Sequence, residues 1–196
     1  MSYWDKYRSD DPRRIPPLEA PLLDYVVLDT ETTGLNPEDG AKLIEIGAVK
    51  VKNGRIVDTY SQLINPQMIV PPHITQLTGI TTYDVSGKPT VKHAMKEFER
   101  WLGFKTPFLA HNATFDLKFL DWATAETWPN RPLFDHPFLD TLEMSRDIHR
   151  EIRHHKVADL IKRYHVADVE QHRALSDAMQ EQALYQIMCK EYFLGA

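Results

Sequence analysis

Two acids, Asp29 and Glu31, close a short apolar run, Tyr25-Val26-Val27-Leu28, and a Thr32-Thr33-Gly34 turn follows at once. A run this short, rich in β-formers and bounded by turn chemistry, predicts a buried strand. Side chains two apart leave a strand by the same face, so both carboxylates point one way. At roughly 6–7 Å and an effective dielectric near 20, such a pair repels by about 2–3 kcal/mol. Relief needs a cation, and oxygen donors favour hard ions such as Mg²⁺ or Mn²⁺.

Three more residues could join that pair. Asp116, in His111-Asn112-Ala113-Thr114-Phe115-Asp116, falls in the first turn of a predicted helix. There the backbone dipole favours the anion, although read alone it is a solvated first-turn acid. Asp177, in His172-Arg173-Ala174-Leu175-Ser176-Asp177-Ala178, lies near the apolar stripe of the last helix. An unpaired carboxylate in such a place needs a cation or strong donors. His172 precedes the regular helix, on a loop that can approach a substrate. Histidine is the residue type that takes a proton from water near neutral pH. The chain has nine histidines, so one alone carries little. A two-metal phosphodiesterase site needs about four carboxylates and a group to deprotonate water, and this set offers both.

The elements that must position these groups read as an alternating pattern. Two β-type runs, 42–51 and 55–64, flank Asn53-Gly54, a strong hairpin signal because both turn positions tolerate positive φ. A short helix is expected from His73 to Thr78, stopped at Gly79. An amphipathic helix over Val91–Leu102 has Thr90 as N-cap and Gly103 as stop. Pro107 to Ala110 reads as a strand, Thr114 to Glu126 as a helix, Phe138 to Asp140 as a strand and Thr141 to Ile148 as a helix. Arg146, Arg150 and Arg153 stand at helical intervals, either as a solvated face or as a track for a single strand. Another helix is expected around Val157–Ile161, and the last runs from Ala174 to Tyr192; Cys189 and the methionines read as core. The meander followed by strand-helix alternation predicts an α/β fold, a mixed sheet with helices on both faces. Ligands collect at the carboxyl ends of such strands, where Asp29, Glu31 and the His111-Asn112 turn fall.

At 196 residues the chain predicts one domain, over 23–196, preceded by an arm over 1–22 that contains Pro12, Pro16, Pro17 and Pro21. The arm reads as a loosely packed leader, or as a segment anchored on the body by Trp4 or Tyr7. A composition of 42% hydrophobic and 26% charged residues excludes a disordered or fibrous chain. No apolar run could span a bilayer, and the N-terminus lacks a signal sequence. The lone Cys189 forms no internal disulfide, which fits a reducing, cytoplasmic setting. With 23 basic against 28 acidic residues, net −5, the chain is ill suited to coating nucleic acid. The same balance suits an enzyme that grips a few nucleotides. Oligomeric state is not legible.

Taken in order, Leu28-Asp29-Thr30-Glu31-Thr32-Thr33-Gly34, His111 to Asp116 and His172 to Asp177 resemble the three motifs of the DnaQ-like DEDDh exonucleases. Within these the chain is similar to the proofreading exonuclease domain of the DNA polymerase III epsilon and PolC family, and the likeness covers roughly residues 24–190. The resemblance implies a ribonuclease H-like fold with a mixed five-stranded sheet. It implies a 3′→5′ exonuclease that releases nucleoside 5′-monophosphates from single-stranded or frayed 3′ ends. DNA is the first expectation. An exoribonuclease on the same site is the alternative, and an inert nucleic-acid-binding module is disfavoured because all five positions are filled. Asp29, Glu31, Asp116 and Asp177 would hold two divalent ions, Mg²⁺ or Mn²⁺, and His172 would activate water. Thr32, Thr33 and Gly34 stand where the family meets the terminal sugar, and Leu35 and Phe115 where it packs against terminal bases. Asn112 would support the second motif. His73 stands near a point where the family often has a glutamate directed at the 3′-hydroxyl, which leaves DNA against RNA open. Proofreading subunits usually extend into a polymerase-binding tail, and a chain ending at Ala196 leaves no obvious one.

Overall fold

The computed structural model describes residues 11–131 and 133–194. Its centre is β1 (Tyr25–Thr32), flanked by β2 (Leu43–Lys52) and β3 (Arg55–Leu63) on one side and β4 (Phe108–Ala110) and β5 (Phe138–Asp140) on the other. The sheet order is β3-β2-β1-β4-β5. The β1–β2 and β2–β3 pairs are antiparallel, whereas β1–β4 and β4–β5 are parallel. The helices are α1 (Pro72–Thr78), α2 (Thr82–Ser86), α3 (Val91–Leu102), α4 (Ala113–Thr127), α5 (Thr141–Ile148), α6 (Val157–Arg163) and α7 (Ala174–Leu194). Among the described residues no helix is long and apolar enough to cross a membrane.

Strand parity sorts the core into two layers. Val26, Leu28, Ile46 and Ala48 pack with α3 and α4 through Met95, Phe98, Leu117 and Leu120. Tyr25, Val27, Val49 and Val51 face the other way, against Leu160 of α6 and Leu184, Tyr185 and Met188 of α7. The β2–β3 turn has Asn53 at φ 49 and Gly54 at φ 70, the left-handed pair that the Asn-Gly signal called for. Gly47 serves a different purpose. A Cβ on it would lie 2.0 Å from Leu175 N and 2.1 Å from Ala174 C, so the first turn of α7 is seated directly on β2.

Several local expectations need correction. α2 was not foreseen: it is five residues long, too short for a periodic pattern, and is fixed by a reciprocal cap between Thr81 and Asp84. Thr90 is the N-cap residue of α3 as expected, but it caps through its carbonyl, which accepts the His93 and Ala94 N–H groups, and not through its hydroxyl. α5 stops at Ile148, so Arg150 and Arg153 lie beyond it and share no helical face with Arg146. Met68 and Met179 are exposed, unlike the core methionines.

The described part of the arm is firmly docked. Its proposed anchors Trp4 and Tyr7 lie outside the described residues, but Arg13 is buried between Asp11 and Asp121. The Arg13 guanidinium donates to Asp121 Oδ1 at 2.8 Å and to the Phe134 carbonyl at 3.0 Å. Ile15 N donates to the Phe138 carbonyl and Phe138 N to that of Arg13, which continues the sheet past the outer edge of β5. Arg13→Met should therefore destabilise the fold by about 3–5 kcal/mol in urea titration, the loss typical of breaking a buried ion pair. A loss below about 1 kcal/mol, the value of an exposed pair, would show that the arm is a mere appendage.

Candidate active site

The parity that builds the core also aims the acids. Asp29 and Glu31 continue the Tyr25, Val27 series and so emerge toward α7. Thr30 continues the Val26, Leu28 series, and its hydroxyl donates to Asp116 Oδ1 at 2.7 Å, at the start of α4. Asp177 comes from the first turn of α7. One oxygen from each of Asp29, Glu31 and Asp177 falls within 4.8 Å of the others. Asp116 and Asp177 are buried, while Asp29 and Glu31 are half-buried at the cleft.

Crowding and burial shift these groups strongly. Burial, then Asp116, Glu31 and Asp177, hold Asp29 well above the ordinary carboxylate range. Glu31 is pushed up to about 8 by burial and by Asp177 and Glu45. Burial raises Asp116 to about 7 against the opposing hydrogen bond from Thr30. Asp177 is also raised by burial, offset in part by the Gln171 and Arg173 N–H groups that its carboxylate accepts. Crowded, buried carboxylates of this kind form a set of hard oxygen donors that suits a divalent cation.

Two histidines open the acid-bearing segments, His111 before Asp116 and His172 before Asp177, in different settings. His111 has one ring nitrogen 2.6 Å from the His155 carbonyl and the other 3.2 Å from the Thr141 hydroxyl. Burial lowers it to about 4, so it is neutral, occupied and unfit to collect a proton. His172 is half-buried on the loop before α7, in the left-handed region at φ 51. Its ring nitrogen lies within 4.8 Å of both a Glu170 and an Asp177 oxygen.

The remaining residues named from sequence are held as follows. The Thr32 hydroxyl donates to the Gly34 carbonyl at 2.6 Å, and that of Thr33 accepts the Lys42 N–H at 2.8 Å. These hydroxyls hold the turn, and the turn presents Leu35 outward at 81% exposure. Phe115 is half-buried against Phe119, with the Lys118 ammonium 5.4 Å from its ring centre. Asn112 stands at φ 63 before α4, its N–H held by Asp140 Oδ1 at 3.0 Å. His73 is exposed in the first turn of α1. Sequence reasoning missed Thr30, Glu45, Glu170 and Glu181. Glu45 did leave a signal, because an acid among the apolar residues Leu43 to Val49 of β2 needs a partner when buried.

A five-stranded mixed sheet with the acids at the carboxyl end of β1 defines a ribonuclease H-like nuclease fold. The family model described as Exonuclease, RNase_T, matches residues 26–185, and the chain belongs to this exonuclease family. The PolC-type DNA polymerase III of Halalkalibacterium halodurans is 36% identical over 148 residues, 74% of this chain and 10% of that protein. The chain thus spans about a tenth of the length of that relative. The structure of exonuclease X in complex with 5′-overhanging duplex DNA has a similar fold, with TM-score 0.66 and 24% identity over 88% of this chain and 93% of that one. The nuclease domain of 3′hExo, a DEDDh family member bound to rAMP, superposes with TM-score 0.71 and 21% identity, over 86% of this chain and 92% of its own.

The raised carboxyls set the direction of a pH effect. Between the ordinary 4.5 and about 8, folded Glu31 keeps a proton that the unfolded chain has lost. Its contribution to stability therefore falls as pH rises through that window. A divalent ion replaces the protons, so its binding should release them and strengthen with pH. In thermal melts, Mn²⁺ should raise Tm more at about pH 8 than at about pH 5 relative to chelator. An equal shift at both would contradict proton-linked binding.

Proposed function

We propose that the chain is a metal-dependent exonuclease that hydrolyses the terminal phosphodiester at the 3′ end of single-stranded or frayed nucleic acid, DNA first. The observation that carries this reading is the convergence of Asp29, Glu31 and Asp177 oxygens within 4.8 Å, with Asp116 beside them and His172 at the edge. Asp29, Glu31, Asp116 and Asp177 would hold two Mg²⁺ or Mn²⁺ ions. Such ions, when bound, neutralise the phosphate and make water acidic enough to ionise near neutral pH.

His172 would accept the proton of the attacking water at a ring nitrogen. Water oxygen bonds to phosphorus, and the bond to the 3′-oxygen of the preceding nucleotide breaks with its electron pair on that oxygen, which takes a proton from solvent to become the new 3′-hydroxyl as the nucleoside 5′-monophosphate leaves. The exposed Leu35 and half-buried Phe115 offer apolar surface to the terminal bases, a contact indifferent to sequence. The Thr32-Thr33-Gly34 turn would face the terminal sugar, with Asn112 supporting α4 and its Asp116. The exposed His73 is compatible with a second reading, trimming of RNA ends, since an imidazole can hydrogen-bond a ribose as well as a deoxyribose terminus. Association with a polymerase is a further reading, resting on the PolC-type relatives.

The test uses 5′-labelled DNA and RNA oligonucleotides of matched sequence with Mg²⁺, Mn²⁺ or EDTA. A ladder that shortens from the 3′ end and disappears in EDTA is expected, and its presence on DNA, RNA or both names the substrate. Internal cuts, or digestion that persists in EDTA, would overturn the mechanism. His172→Ala should lower kcat by about 10²–10⁴-fold, the usual contribution of a general base, with Mn²⁺ affinity little changed.

A further inference from the structure

We propose that Glu45 is a positioning residue for the reaction: it braces the loop that holds His172 and touches neither metal nor substrate. The proposal rests on the reading of His172 as the base. Glu45 is 1% exposed and lies opposite Glu31 in the β1–β2 register, on the α7 side of the sheet. A buried acid beside the site would ordinarily be counted as one more metal ligand. Its contacts show a different use.

Both Glu45 oxygens face the loop before α7. Arg173 Nη2 donates to Oε1 at 2.9 Å, Arg173 Nε to Oε2 at 3.1 Å, and Ala174 N to Oε2 at 3.1 Å. This is a two-pronged guanidinium–carboxylate fork with a helix N–H added to it, a strong and strongly directional contact. Three donors occupy most of the lone pairs of a carboxylate. Among the described residues Glu45 accordingly belongs to neither group of oxygens able to converge on an ion.

The brace acts on a strained point. His172 immediately precedes Arg173 and has φ 51, a backbone state that a non-glycine residue keeps only when its surroundings impose it. On one side Asp177 accepts the N–H groups of Gln171 and Arg173. On the other, Glu45 fixes Arg173 and Ala174. At Gly47, two residues along β2, the α7 backbone already approaches too closely for a Cβ, so the helix start cannot settle elsewhere without moving off the sheet. Glu45 thereby sets where the His172 ring lies relative to Asp29, Glu31 and Asp177.

The experiment is a double-mutant cycle on the oligonucleotide that the wild-type chain digests, reading kcat, KM, Mn²⁺ affinity and Tm for Glu45→Gln, His172→Ala and the pair. Glu45→Gln should lower kcat about 10–100-fold, the range for groups that orient an active residue, with KM and Mn²⁺ affinity within about twofold. In the His172→Ala background the same change should cost less than about twofold, because the group it positions is gone. A His172→Ala chain at full rate would overturn the base assignment, and the brace with it. A slow His172→Ala chain in which Glu45→Gln repeats its full loss would overturn the brace alone, as would a parallel fall in Mn²⁺ affinity. Should Glu45→Gln fail to fold, Arg173→Lys, which keeps the charge but loses the fork, must show the same cancellation.

Discussion

The structure is governed by the mutual repulsion of carboxylates that the sheet forces together. Asp29 and Glu31 share a strand face, Asp177 arrives from α7 to within 4.8 Å, and Asp116 comes in from α4. In water the four would stay apart. Here burial on both sides of β1 leaves them little solvent, and each is driven toward its protonated form. A fold that maintains such a cluster is less stable than it would be with neutral groups, unless something positive binds. Such crowding suits a site that takes up cations.

The scaffold supplies what this crowding needs. β1 is buried on both faces, so its register is fixed and its end cannot splay. Tyr25 and Tyr185 pack edge to face beneath the acids at 5.0 Å, holding α7 to β1. Thr30 pins Asp116, and the glycine at position 47 admits α7 close enough for Asp177 to reach the cluster. Beyond β5, Arg13 ties the arm to Asp121 of α4, the helix that carries Asp116. The histidines of the two later acid-bearing segments differ: burial keeps His111 neutral between Thr141 and His155, and His172 stands on the loop before α7 beside Glu170 and Asp177.

Much of this was legible from residue types and spacing. The β1 run, the Asn-Gly hairpin and the amphipathic α3 each carry a local signal strong enough to survive tertiary context. The three acid-bearing segments could be read as motifs through their resemblance to the DEDDh exonucleases, and each opens or closes an element. What escaped notice depends on contacts far apart in sequence. Arg13 looked like one of several charges in a proline-rich leader, and only the placement of Asp121 more than a hundred residues later makes it a buried clamp. Gly47 resembled any strand glycine until α7 was laid across it. α2 is a single capped turn with no periodicity to read. Arg150 and Arg153 matched a helical interval, but α5 ends at Ile148, and the ring of His149, which caps it, is engaged with Glu191 and Tyr164.

The central claim is that the acid cluster exists to hold divalent cations, and counting them tests it most directly. Mn²⁺ titrated into the metal-free chain and followed by electron paramagnetic resonance should bind saturably at about two ions per chain, with Mg²⁺ competing and Asp29→Asn removing at least one. Binding that never saturates, or a stoichiometry untouched by Asp29→Asn, would contradict the account.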